Sequence, residues 1–316
     1  MKVTLIFPGQ GSQYVGMGKN LTELPECKEV FEQADSAFDF SLTDLMFEGP
    51  EDKLKLTEFT QPSIVTHSYA LFKGLKTFLD KEGIEIERVL GHSVGEYSAL
   101  AAAGAIDFKD AVKAVQLRGK YMQEAVAPGD GKMYAILRVP KEEVQKACEA
   151  VSTDAEKVMP ANFNEPGQTV ISGHSEACDK AVAWLKENYE GKQMAIPLKV
   201  SAPFHSSLMK PAEEKLSAHL DSIEFKSSEV PYVANIDGKE YSKGTDGQII
   251  KKNLVDQVCG SVLWAQSIEK LPEDTVFIEV GPGKVLTGLN KKINKNFKTY
   301  TLDSEAGFEG LKEFLA

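Results

Sequence analysis

Residues 91–95 read Gly-His-Ser-Val-Gly, the G-x-S-x-G spacing of a nucleophile elbow. The chemistry needs a sharp strand-to-helix bend, and glycine is required where neighbouring backbone comes too close for a side chain. Such a bend holds the Ser93 hydroxyl out at the tip of a strand. It also aims the Val94 N–H, at a helix N-terminus, toward an oxyanion forming on an attacked carbonyl. The competing reading is a serine that only caps a helix. A nucleophilic serine needs a base, and the chain has five histidines. His92 adjoins Ser93, but neighbouring side chains on a tight bend diverge. His67 and His219 fall in predicted helices, and His174 closes the loop "ISGHSE". His205, in "SAPFHSSLM", follows Pro203 in an irregular stretch and is the best placed of the five.

A cation supplies the third clue. In "DAVKAVQLRGKYMQEA" (110–125) a helical period puts Ala111, Ala114, Val115, Arg118, Tyr121, Met122 and Ala125 on one face. Lys113, Gln116, Lys120 and Gln123 fall on the other. Arg118 therefore lies on the apolar stripe. A guanidinium there must meet an anion, either a structural carboxylate of the protein or the carboxylate of a ligand held bidentately.

The elements needed to position these groups are legible. "VTLIFPG" (3–9) and "IERVLGHS" read as strands; Thr60, Gln61 and Pro62 read as a helix start. Asp107 to Asp110 resembles a weakened capping box opening a helix to about Ala125. Helices alternating with short apolar runs indicate an α/β core with a mainly parallel sheet. After "APGDG" (127–131) the order strand–helix–strand–strand–helix–strand, ending in "QMAIPLKV", is the ferredoxin-like pattern. The expected organisation is a large subdomain from 1–126 and 200–316 and an inserted small subdomain from 127–199.

The net charge of −11 argues against general nucleic-acid binding, which wants a basic surface. Any acidic partner must use a local basic patch. "NKKINKNFK" (290–298), with Lys291, Lys292, Lys295 and Lys298, is one, or else a solvated helix end. No apolar run is long enough for a membrane span and the start lacks a signal-peptide core, so a cytoplasmic protein is expected. Cys27, Cys148, Cys178 and Cys259 show neither disulfide nor metal spacing and are expected to be reduced and buried. "GQGSQY" fails the dinucleotide fingerprint at Tyr14, and "GPGKVL" lacks Walker spacing. No metal or nucleotide cofactor is implied.

Six segments together, "FPGQGSQ", "GHSVGEYSAL", "RGKYMQEA", "NFNEPGQTVISG", "APFHSSLM" and "EVGPGKVLTGL", resemble the malonyl-CoA:acyl carrier protein transacylases, in order and nearly end to end. The resemblance implies an α/β-hydrolase-like large subdomain, a ferredoxin-like small one and a site between them. It implies that Ser93 is acylated, His205 is the base, and Gln10 and Val94 give the oxyanion N–H groups. Arg118 would then hold the malonyl carboxylate. It further implies that the Gln257 main-chain carbonyl orients His205, in place of a triad acid, and that Met122, Asn162 and Phe204 flank the acyl group. After Gln257 the sequence "VCGSV" departs from the family's aromatic–polar–proline pattern. The implied substrates are malonyl-CoA and the phosphopantetheine arm of acyl carrier protein, in fatty acid synthesis. Alternatives are a discrete acyltransferase serving a polyketide synthase, or a serine esterase or thioesterase using water as acceptor. The latter usually carries a triad acid between serine and histidine, and none stands out here.

Overall fold

The strand β1 (Lys2–Phe7) is buried along all but its first residue, as a strand flanked on both sides and covered on both faces must be. The computed structural model describes residues 1–316. In it β1 pairs in parallel with β2 (Glu85–Gly91) on one side and β9 (Val276–Val280) on the other. The sheet continues outward to β10 (Lys298–Leu302) beyond β9 and to β7 (Tyr232–Val233) beyond β2, both parallel. Only the edge strand β8 (Glu240–Tyr241) runs antiparallel. In the β1–β2 register Phe7 stands opposite Gly91, so the loops carrying Gln10 and Ser93 leave the same edge of the sheet. In open α/β sheets, ligands bind at that carboxyl edge.

A second sheet has the order β4 (Val158–Glu165), β5 (Gln168–His174), β3 (Gly131–Leu137) and β6 (Met194–Pro197), all antiparallel. Its two helices, Lys141–Val151 and Ser175–Asn188, complete the ferredoxin-like unit. Side chains alternate across it with the strand period. Ile136 and Ile171 face the two helices in a separate apolar cluster, whereas Met133, Ala161 and Val170 join the core of the large unit. The small sheet therefore lies between its own helices and the large unit, and its inner face roofs the carboxyl edge. Main-chain bonds from Phe163 N–H to the Val262 carbonyl (2.9 Å) and from Val262 N–H to Ala161 (2.8 Å) tie the two together.

Three details differ from the sequence reading. The helix expected to start at Thr60 begins at Thr57 and runs to Glu82, with Pro62 inside it. The Thr60 hydroxyl bonds the Leu54 carbonyl (2.6 Å), and a proline this near the start forfeits only the bond to the Glu58 carbonyl. Gln116, placed on the polar face, is buried because this long helix covers it, and it donates to Glu58 (2.7 Å). Cys259 is only partly buried, although all four cysteines are free as expected.

Candidate active site

Ser93 and His205 each have a left-handed backbone, with φ of 52° and 55°. Two non-glycine residues held in this sparsely populated region and meeting in space mark a site that the surrounding fold over-determines. The bend at Ser93 depends on its glycines. A Cβ on Gly91 would lie 2.0 Å from the Gly95 carbonyl, and one on Gly95 would lie 2.2 Å from the Phe7 oxygen. Asn235 braces the bend, accepting the Ser93 N–H (2.7 Å) and donating to the Gly91 carbonyl (2.7 Å).

The Ser93 hydroxyl lies 2.7 Å from His205 Nε2. On the other side of the ring, Nδ1 faces two main-chain carbonyls, Gln257 at 2.9 Å and Gly260 at 3.2 Å. Those acceptors demand a proton on Nδ1, which leaves Nε2 free to accept from the serine. The chain after Gln257 curls so that Gly260 brings up a second carbonyl. Burial, and next the charge of Arg118, push the His205 pKa down to about 3, so the ring is held neutral.

Arg118 is 1% exposed, yet it lines the cleft beside Ser93. Its Nη1 donates to Gln61 Oε1 (2.9 Å), and its Nη2 donates to Gln257 Oε1 (3.0 Å) and to the Ser93 oxygen (3.2 Å). Its partners are all neutral, no carboxylate forms an ion pair with it, and its Nε has no partner. Of the two readings open from the sequence, a structural carboxylate partner is absent. A buried guanidinium met only by neutral acceptors is a ready site for an incoming carboxylate.

The cleft, about 480 Å³, is lined by Gln10, Val94, Met122, Asn162 and Phe204 together with the serine, the histidine and the arginine. The main-chain N–H groups of Gln10 and Val94 bond to nothing within the fold, as donors reserved for an oxyanion must. Lys55 and Lys199 stand at the rim. A larger hollow, about 740 Å³, lies between the two units and presents Asp130, Glu156 and Glu176. It contains no nucleophile paired with a base. His92 points away from the serine, its Nε2 2.8 Å from Asn164 Oδ1, and His67 is wholly buried. Lys291 and Lys295 are exposed, and Lys292 approaches Glu165 at 3.4 Å.

Sequence reasoning missed Gln61, Asn235, Glu96 and the carbonyl of Gly260. Of these, Glu96 carried a signal: it is the one charged residue in the helix Gly95–Ala102, which is buried almost throughout.

Residues 4–304 match the family model described as an acyl transferase domain. A malonyl CoA-acyl carrier protein transacylase of Bacillus subtilis (strain 168) is 44% identical over 319 residues, covering 99% of this chain and 98% of that protein. One from Haemophilus influenzae is 42% identical, covering 99% of each. Among solved structures, the transacylase of the same name from Clostridium perfringens superposes with a TM-score of 0.91 at 43% identity, covering 100% of this chain and 97% of that one. A type II polyketide synthase acyl-carrier protein in complex with its malonyl-transacylase gives a TM-score of 0.91 at 38% identity, covering 99% of each chain.

Proposed function

The chain belongs to the acyl transferase family, and on that premise we propose that it carries a malonyl group from malonyl-CoA to the phosphopantetheine thiol of an acyl carrier protein through an ester on Ser93. The observation that supports this most is the serine–histidine pair at 2.7 Å beside a buried arginine whose partners are all neutral.

His205 takes the proton of Ser93 as the serine oxygen attacks the malonyl thioester. The Gln10 and Val94 N–H groups receive the oxyanion, each donor contributing about 10²–10³ in rate. The tetrahedral intermediate collapses, the C–S bond breaks, and His205 returns the proton to the CoA sulfur. The carrier thiol then gives its proton to His205 and attacks the ester, and Ser93 leaves with that proton. Arg118 holds the malonyl carboxylate throughout, while Met122, Asn162 and Phe204 wall the acyl group. When the substrate carboxylate neutralises Arg118, the largest cause after burial that depresses His205 is relieved, so malonyl binding itself makes the base stronger. Every step uses side chains and main-chain N–H groups, and none requires a metal or redox cofactor.

Two main-chain carbonyls on His205 stand where a hydrolase triad would place an acid, and the buried Arg118 beside Ser93 has no role in a simple esterase. Fatty acid synthesis is the proposed setting; the solved polyketide complex makes a discrete polyketide acyltransferase the second reading. No helix is long and apolar enough to cross a membrane, and we place the reaction in the cytoplasm.

Two tests follow from the charges. Arg118→Ala should lower kcat/KM for malonyl-CoA by about 10–10²-fold more than for acetyl-CoA, because only malonyl carries the carboxylate. Equal losses would make the arginine structural. Lys291, Lys292 and Lys295 are the proposed docking cations for the carrier. Lys291→Glu with Lys292→Glu should raise KM for carrier protein several-fold and leave KM for malonyl-CoA unchanged. An unchanged carrier KM would return these lysines to a solvated helix end.

A further inference from the structure

Gln257 meets the site through both its main chain and its side chain. Its carbonyl accepts from His205, and its side-chain Oε1 accepts from Arg118. Its Nε2 donates to Glu96 Oε2 (2.5 Å) and to the Ser93 carbonyl (3.1 Å). The amide can serve Arg118, a pure donor, only with its oxygen turned that way, so its nitrogen must find an acceptor on the far side. Glu96 supplies it. Glu96 is 1% exposed, accepts a second bond from the Asn235 N–H (3.3 Å), and leaves Oε1 without a partner. Burial pushes its carboxyl up to about 8, against the pull of Gln257, Asn235 and Arg118, with Asp237 pushing the same way as burial. Near neutral pH it therefore acts as an acceptor and not as a rival anion for the guanidinium.

Resting on the malonyl reading above, we propose that Glu96 is a positioning residue that sets acyl-group selectivity. It locks the Gln257 amide so that Arg118 is held beside Ser93 with its charge uncommitted, available to a substrate carboxylate. Direct contact between Glu96 and Arg118 would neutralise that charge; one intervening amide keeps the pose without the ion pair.

The experiment measures kcat/KM for malonyl-CoA and for acetyl-CoA in the full chain, with thermal stability alongside, for Glu96→Ala, Glu96→Gln, Gln257→Leu and Arg118→Ala. Glu96→Ala is expected to lower the malonyl-to-acetyl ratio at least about tenfold. Glu96→Gln, isosteric with the neutral acid, should restore most of it. Gln257→Leu keeps the main-chain carbonyl on His205 and removes only the amide, so it should reproduce the loss even if the alanine variant does not fold. A purely structural Glu96 would lower both activities in parallel with stability and leave the ratio alone. An unchanged ratio in the Glu96 and Gln257 variants, with a collapsed ratio in Arg118→Ala, overturns the role of Glu96 and leaves the malonyl reading standing. An unchanged ratio in Arg118→Ala as well overturns the carboxylate assignment on which both depend.

Discussion

Ser93→Ala is expected to form no acyl-enzyme and to lose about 10⁴–10⁶ of the transfer rate. The alcohol bonds His205 Nε2 and lines the same cleft as Gln10 and Val94, whose N–H groups are unpartnered. Removing it leaves the binding cleft, the arginine and the oxyanion donors intact, so malonyl-CoA should still bind. Rapid-quench assays with labelled malonyl-CoA check this. Label retained on the variant would remove Ser93 as the nucleophile.

His205→Ala should slow acyl-enzyme formation about 10²–10⁴-fold and leave substrate affinity nearly unchanged. The pH profile gives a sharper reading. Burial and Arg118 lower the pKa of this imidazole from 6.5 to about 3, so it is neutral and competent well below the usual histidine range. The acid limb of kcat/KM in the wild-type enzyme should therefore lie below pH 6.5. In Arg118→Ala, where the nearby positive charge is gone, the limb should move upward. The same shift bears on stability: a depressed histidine contributes stability above pH 6.5 that is lost as pH falls toward 3. An acid limb at or above 6.5 that Arg118→Ala does not move would contradict this assignment of the base.

The parts of the site that were legible in the sequence were those written in local spacing. Gly91 and Gly95 announce the bend because backbone crowding admits no side chain there. Arg118 announces itself as a cation on an apolar stripe. The parallel sheet and the inserted unit followed from the alternation of elements. What stayed hidden was the amide scaffold behind these groups. Gln61, Asn235 and the Gln257 side chain come from three distant segments, and nothing in a helical or strand period says which acceptor a buried amide will meet. The start of the long helix was misplaced for a related reason. Thr60 and Pro62 carry the local signals of an N-terminus, but the Phe59 and Thr60 N–H groups bond the Leu56 carbonyl, so the helix begins a turn earlier. Glu96 was open to notice, as the one charged residue in its helix, yet its role is defined only by the arginine one amide away.

The central claim is that one serine ester carries the acyl group between two thiols. The most direct measurement isolates enzyme labelled by malonyl-CoA, frees it of CoA, and mixes it with holo acyl carrier protein. The label should map to Ser93 and pass to the carrier thiol in a single turnover, at a rate matching steady-state transfer. Label found on another residue, or released as free malonate while the carrier stays unmodified, would contradict the account.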